Sequence, residues 1–260
     1  MDNLSQIPPV VLLLLAAFFA WLATALGAAV VFCFKEINKR ALDTMLGISA
    51  GIMLAAALWS LTMPAIDLAE ELWHNAWLLP SLGFLIGGLF ITLTSLILER
   101  MLPNADQKRR SILLFTTNTM HNIPEGLAIG VGFSSFAMGL SGSNLLSAIM
   151  IAVGIGIQNF PDGLAVSVPL YRDGMHKGKA FFLGQASGIV EPIAAIIGYF
   201  ITLAIRSVLP FLLTFAAGAM LTVVIGELIP DIAKENRGWS TIGFVVGFVA
   251  MMVMDLALTW

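Results

Sequence analysis

Eight apolar runs, each long enough to cross a lipid bilayer, fill most of this 260-residue chain. The hydrocarbon core of a bilayer requires about 20 apolar residues of helix. Because hydrocarbon offers the backbone no hydrogen-bond partners, such runs must form helices. The sequence therefore predicts an all-α integral membrane protein with eight transmembrane helices in one domain, residues 1–260. The predicted spans are 8–34, 43–66, 76–98, 111–135, 144–170, 179–204, 208–231 and 239–259.

Composition supports a membrane protein over a water-soluble one. The chain is 58% hydrophobic and only 11% charged, whereas soluble domains are about 25% charged. The first run contains 25 residues without a charge, Val10 to Phe34. A signal peptide would have a basic start and a shorter core, so this run is predicted to be a retained span. We expect a lipid bilayer and no nucleic acid as partner.

The basic residues favour one orientation. With eight spans and both termini outside, the four inner connectors hold twelve of the thirteen Lys and Arg residues, leaving only Arg206 outside. Inner connectors of membrane proteins are enriched in Lys and Arg. The chain is therefore predicted to be a multi-pass protein of the plasma (inner) membrane. The inner residues are Lys35, Lys39, Arg40, Arg100, Lys108, Arg109, Arg110, Arg172, Lys177, Lys179, Lys234 and Arg237.

Two similar polar motifs lie inside apolar runs, 37 residues apart, at 121–128 and 158–165. A charged residue at the bilayer centre costs about 2.5–3.5 kcal/mol even on the lenient insertion scale, so a repeated carboxylate indicates a functional site. Residues three and four apart share one face of a helix. The proline in each motif lacks an N–H and loosens its helix. The residues that share these faces are His121, Asn122 and Glu125 in the first motif, and Gln158, Asn159 and Asp162 in the second.

A third buried carboxylate, Glu191, precedes Pro192 in the sixth span. Imidazole, amide and carboxylate ligands together suit Zn²⁺ first, with Fe²⁺, Mn²⁺, Co²⁺ and Cd²⁺ as further candidates. The ion is predicted to be a transported substrate, with no cofactor. The thioether of Met53 is a further candidate ligand, although a methionine here could equally be core packing. The alternative for the amides is that they bridge helices by hydrogen bonds.

A weaker repeat indicates internal symmetry. Residues 50–54 resemble residues 217–221, and both spans later reach a proline, Pro64 and Pro230. Together with the paired motifs, this predicts an inverted repeat of spans 1–3 against spans 6–8 around spans 4 and 5. Transporters often use such repeats and bind substrate near the membrane midplane.

The paired motifs resemble the fourth- and fifth-span signatures of the ZIP (Zrt/Irt-like) divalent-metal transporters, most of all their bacterial GufA-like branch. Eight spans with both ends outside is also that family's topology. The resemblance implies two adjacent metal sites bridged by Glu125 and Asp162. Besides these two carboxylates, one site would contain His121 and Met53, and the other would contain Asn122, Asn159 and Glu191. The family usually has Glu where this chain has Asp162.

The resemblance also implies a path on either side of the site. Glu227 and Asp43 resemble the family's cytoplasmic exit residues, and Asp67 and Asp255 are expected near the entrance. Gly226 stands where the family often has a His before the seventh-span Glu.

The leading hypothesis is a divalent-metal transporter that moves zinc or a similar ion into the cytoplasm, and not an enzyme. An intramembrane metalloprotease would need a His-Glu-x-x-His pattern, but the three histidines are at 74, 121 and 176. A proton- or sodium-coupled carrier of another small solute remains the alternative, as does metal efflux. A homodimer is left open, because glycine-rich stretches such as 83–88 can pack helices within one subunit or between two.

Overall fold

The computed structural model describes residues 7–33, 38–72, 76–101, 107–140, 143–232 and 237–258, and all regular secondary structure in these ranges is helical. Two π-helical segments, Ala56–Thr62 and Val224–Leu228, and a 3-10 turn, Arg206–Val208, connect helices. The α-helices are α1 (Pro9–Cys33), α2 (Lys39–Ala55), α3 (Met63–Leu72), α4 (Leu78–Met101), α5 (Gln107–Ala137), α6 (Leu145–Arg172), α7 (Lys177–Ser187), α8 (Val190–Ala204), α9 (Leu209–Val223), α10 (Ile229–Ile232) and α11 (Arg237–Leu258).

Seven helical stretches in the described residues are long and apolar enough to cross a membrane. The predicted all-helical membrane architecture is thereby confirmed. The expected count of eight is not reached, because α5, which covers the predicted span 111–135, is not among the seven. Its 31 residues include a basic first turn and the polar residues Asn118, Asn122 and Glu125, which lower its mean hydropathy. The seven are Pro9–Cys33, Lys39–Leu72, Leu78–Leu98, Leu145–Arg172, Lys177–Ala204, Leu209–Gly226 and Gly238–Leu256.

The distribution of polarity is inverted relative to a soluble protein. Large apolar side chains such as Leu15, Phe18 and Leu85 are more than half exposed, at 58%, 53% and 57%. Glu125 and Glu191, by contrast, are fully buried. An apolar outer surface suits hydrocarbon as solvent, and ionisable residues in such proteins face the bundle interior.

Four helix pairs make the most extensive packing contacts: α1 with α6, α5 with α8, α2 with α11, and α4 with α9. In each pair, a glycine lies against a backbone carbonyl of its partner. The Gly163 Cα faces the Thr24 carbonyl, and the Gly126 Cα faces the Glu191 carbonyl, so closely that a Cβ would collide. Gly51 faces Phe244, and Gly87 faces Phe215, in the same way. Small residues allow such close backbone approach, which membrane helices use for association.

Three of the membrane-crossing stretches are interrupted. The π-helical segments lie just before Pro64 and Pro230, whose missing N–H groups disturb the regular hydrogen-bond ladder. The third interruption separates α7 from α8 at Gly188 and Ile189. Such breaks in a membrane are tolerated where the backbone is buried in protein or lines a cavity.

We expect Gly51→Val to destabilise the bundle, because its new Cβ would meet the Phe244 carbonyl on α11. Overpacking of this kind costs about 1–3 kcal/mol. Thermal unfolding of the detergent-solubilised protein should show a lower midpoint. The matched control is Gly238→Val at the start of α11, where an added Cβ meets nothing within 4 Å. Equal unfolding midpoints for the two variants would contradict the close packing of α2 and α11.

Candidate metal site

The residues of the paired motifs converge in the interior of the bundle. Helix α5 supplies Glu125, and α6 supplies Gln158, Asn159 and Asp162. Glu191 joins them from the first turn of α8. Four of these five side chains have no exposed surface, and Asp162 is 7% exposed.

Glu125 is held by the opposite motif. The Gln158 side-chain amide donates a hydrogen bond to Glu125 Oε1 at 2.8 Å. Glu125 Oε2 and Gln158 Oε1 are also buried, and neither has a hydrogen-bond partner among the described residues. Because an unsatisfied buried acceptor costs about 1–3 kcal/mol, both oxygens are suited to receive a cation.

Glu191 has the same kind of partner. The Asn159 side-chain amide donates to Glu191 Oε2 at 2.7 Å and to the Ala20 carbonyl on α1 at 3.1 Å. Glu191 Oε1 and Asn159 Oδ1 are buried without a hydrogen-bond partner in the described part of the chain. The two amides thus use their N–H groups to hold carboxylates and leave their oxygens available.

Asp162 is bonded across to a different helix. The hydroxyl of Ser49 on α2 donates to Asp162 Oδ1 at 3.1 Å. Ser49 itself is fully buried, and the sequence pattern gave no reason to select it. Met53, one turn further along the same face of α2, is buried at 1% exposure within the hydrophobic core.

Asn122 connects α5 to the end of α7. Its amide donates to the Ser187 carbonyl at 2.9 Å, where α7 ends. Asn118, one turn earlier on α5, donates to the Ser187 hydroxyl, also at 2.9 Å. Sequence reasoning missed Asn118, although its spacing of four residues from Asn122 places both on one helical face.

The three carboxylates lie close enough for electrostatic repulsion: Glu125 interacts with Asp162 and Glu191, and Glu191 interacts with Asp162. They are not gathered around one point. Among the described side chains, no group of three or more His, Cys, Asp and Glu residues is placed to hold an ion. Each carboxylate is instead bonded to a neutral donor.

The remaining candidates divide into two sets. His121 lies one turn before Glu125 on α5, and Glu227 lies in the π-helical segment Val224–Leu228. Their side chains fall outside the described part of the structure. Asp43 is 8% exposed near the start of α2, and Asp67 is exposed on α3. At a rise of 1.5 Å per residue, they are roughly 15 Å and 21 Å along the helical stretch from Met53, so neither belongs to the central cluster.

Asp67 lines a second feature, a cavity of about 370 Å³ that it shares with Asp255. The Ser60 hydroxyl lies 2.8 Å from both carboxylate oxygens of Asp255. The cavity is also lined by Gly132 and Ile151, from α5 and α6. It therefore adjoins α5 and α6, two of the three helices that carry the central cluster.

The arrangement is chemically suited to a divalent cation. Four buried oxygens of the cluster have no hydrogen-bond partner among the described residues: Glu125 Oε2, Gln158 Oε1, Asn159 Oδ1 and Glu191 Oε1. Carboxylate and amide oxygens can replace the water shell of an ion, and selective conduction uses sites of this kind. The electrostatic repulsion among the carboxylates would be relieved by a bound positive charge.

Comparison with known proteins agrees with this chemistry. Residues 98–255 match the family model described as ZIP Zinc transporter. Zinc transporter ZIP11 of Homo sapiens is 33% identical, covering 94% of this chain and 96% of its own length. Zinc transporter GufA of Myxococcus xanthus is 35% identical, covering 94% and 98%. Zinc transporter ZIPB of Bordetella bronchiseptica is 37% identical, covering 94% and 79%. The chain therefore belongs to the ZIP family of zinc transporters and to its bacterial branch, as the paired motifs predicted.

Proposed function

We propose that this protein carries zinc, and related divalent transition-metal ions, into the cytoplasm along the contact between α5, α6, α8 and α2. Membership of a zinc-transporter family supports both the cargo and the transport activity. It also removes the metalloprotease alternative, since the family transports ions and is not enzymatic. The observation that carries the proposed route is that Glu125, Gln158, Asn159 and Glu191 each present one buried oxygen without a hydrogen-bond partner among the described residues.

The proposed ligands combine the central cluster with residues on either side. Glu125 and Asp162 would bridge two adjacent ions, as the resemblance of the paired motifs to the family signatures implies. Two weak sites favour release better than one strong site, since conduction needs binding that can be reversed. The cavity beside Asp67 would be the entrance. The full proposed set is His121, Asn122, Glu125, Gln158, Asn159, Asp162, Glu191 and Met53, with Asp43 and Glu227 at the exit and Asp67 at the entrance.

We propose that α5 is the eighth membrane crossing. Its 31 residues span about 45 Å, which exceeds the roughly 30 Å of a hydrocarbon core. It packs against α1, α6, α8 and α9, so protein rather than lipid surrounds much of its polar face. A helix in that position can carry a carboxylate at low cost because it is not exposed to hydrocarbon.

The helix pairs support the proposed inverted repeat. The repeat relates spans 1–3 to spans 6–8, and span 4 to span 5. Helix α1 is then equivalent to α8, and α6 is equivalent to α5, so the α1–α6 pair corresponds to the α8–α5 pair. Helix α2 is likewise equivalent to α9, and α11 is equivalent to α4, so the α2–α11 pair corresponds to the α9–α4 pair. The two π-helical segments, each followed by a proline, are also equivalent under the repeat. With eight crossings, both termini would lie outside the plasma (inner) membrane and the basic connectors inside. A homodimer stays a prediction.

We expect Glu125→Gln to lose zinc uptake at least tenfold, because it removes a central carboxylate while keeping its shape. Uptake is measured in proteoliposomes that contain a fluorescent zinc chelator. Glu70→Gln is the matched control, since Glu70 is an exposed carboxylate on α3 outside the proposed route. Normal uptake by Glu125→Gln, with an active wild type, would place the route elsewhere.

We expect Cd²⁺, Fe²⁺ and Mn²⁺ to compete with zinc uptake and a hundredfold excess of Mg²⁺ not to compete. Mg²⁺ demands octahedral oxygen ligands and gives up its waters reluctantly, whereas a site that includes an imidazole prefers transition ions. The competition is read as zinc entry into the same proteoliposomes. Strong inhibition by Mg²⁺ would instead favour an all-oxygen site without His121.

We expect the two ends of α5 to be accessible from opposite sides of the membrane. In a Cys33→Ser background, Gln107→Cys and Ala137→Cys place single thiols at its first and last residues. A membrane-impermeant maleimide added to intact cells should label Ala137→Cys at once and Gln107→Cys only after permeabilisation. Labelling of both thiols from one side would show that α5 does not cross.

A further inference from the structure

We propose that Ser49 is a positioning residue that competes with the transported ion for Asp162 and thereby sets the KM for zinc. The inference rests on the proposed transport function and names a residue outside the ligand set given above. It follows from one contact: the Ser49 hydroxyl donates a hydrogen bond to Asp162 Oδ1 at 3.1 Å.

The bond joins two neighbouring helices, each of which has its most extensive packing contact with a different partner. Helix α2, which carries Ser49, packs most extensively on α11, whereas α6, which carries Asp162, packs most extensively on α1. The two residues are 113 positions apart in the chain. Ser49 has no exposed surface, and Asp162 has little, so water is a poor competitor for this bond. A buried hydroxyl aimed at a functional carboxylate is unlike the hydroxyls of Thr44 and Thr24, which donate to backbone carbonyls of their own helices.

Ser49 differs from the other two donors in the cluster. Gln158 and Asn159 each hold a carboxylate with an N–H group and still present an unpartnered oxygen among the described residues. They can therefore assist an ion while they keep their bonds. The serine hydroxyl has a single proton, and that proton is directed at Asp162. Its effect on the carboxylate is to reduce the negative charge that Oδ1 offers to a cation.

The consequence is a site that binds the ion more weakly and releases it faster. Hydrogen bonds to charged groups are stronger than those between neutral groups, so an ion that binds Asp162 through Oδ1 must either displace the Ser49 hydroxyl or share the oxygen with it. In both cases the affinity for the ion falls. A transporter gains from this, because an ion that binds too tightly is not released.

The test compares Ser49→Ala with Ser49→Thr, which keeps the hydroxyl. We expect Ser49→Ala to lower the KM for zinc about fivefold, equivalent to about 1 kcal/mol, the size of one net hydrogen bond. Ser49→Thr should stay close to the wild-type KM. Thr44→Val is the matched control, since it removes a hydroxyl from α2 whose partner is the Arg40 carbonyl. An unchanged or raised KM in Ser49→Ala, or a Ser49→Thr value equal to that of Ser49→Ala, would overturn the proposal.

A second measurement needs no transport. Zinc binding to the purified, detergent-solubilised protein is titrated by calorimetry in the wild-type and Asp162→Asn backgrounds. Ser49→Ala should tighten the Kd about fivefold in the first background and leave it unchanged in the second. An equal effect in both backgrounds would show that Ser49 does not act through Asp162. A wild type that neither binds nor moves zinc would refute the transport proposal itself, whereas a zinc-transporting wild type with an unaffected Ser49→Ala variant would refute only this inference.

Discussion

The structure depends on burying three carboxylates in an apolar bundle. Glu125, Asp162 and Glu191 repel one another, and isolated buried charge is expensive. The protein meets this cost with neutral donors from nearby helices: two side-chain amides and one hydroxyl hold one oxygen of each carboxylate. A lysine or arginine in their place would repel a cation, whereas neutral donors leave the net negative charge that attracts one.

The glycines beside these carboxylates hold the helices close enough for such bonds. Gly126 follows Glu125 and lies against the Glu191 carbonyl, so the contact that closes α5 on α8 also sets the separation of two carboxylates. Gly163 follows Asp162 and lies against the Thr24 carbonyl on α1. Four residues earlier on α1, the Ala20 carbonyl accepts the hydrogen bond from the Asn159 amide. The motif therefore places the proposed ligand, a proline and a packing glycine within six residues.

Local patterns in the sequence were sufficient to predict the helices and most of the central cluster. Long apolar runs and the paired motifs required only helical periodicity, and Asn118 was accessible to the same reasoning through its spacing from Asn122. The predicted span 111–135 is the one that the structure does not count among its seven apolar stretches, because the polar residues of α5 lower its hydropathy. Ser49 could not be selected from the sequence alone: its role arises from a contact with Asp162 on another helix, and a serine in a membrane helix most often bonds to its own backbone.

The interruption between α7 and α8 has an electrostatic consequence. An α-helix carries partial positive charge at its amino end and partial negative charge at its carboxyl end. Glu191 occupies the first turn of α8, so the backbone itself supplies a positive field for that anion. The last carbonyls of α7 include that of Ser187, which the Asn122 amide reaches, and they present the opposite field beside it. A pair of half-helices thus creates adjacent regions of both signs deep in the bundle, and the peptide dipoles that form them cannot be titrated away or displaced by the ion.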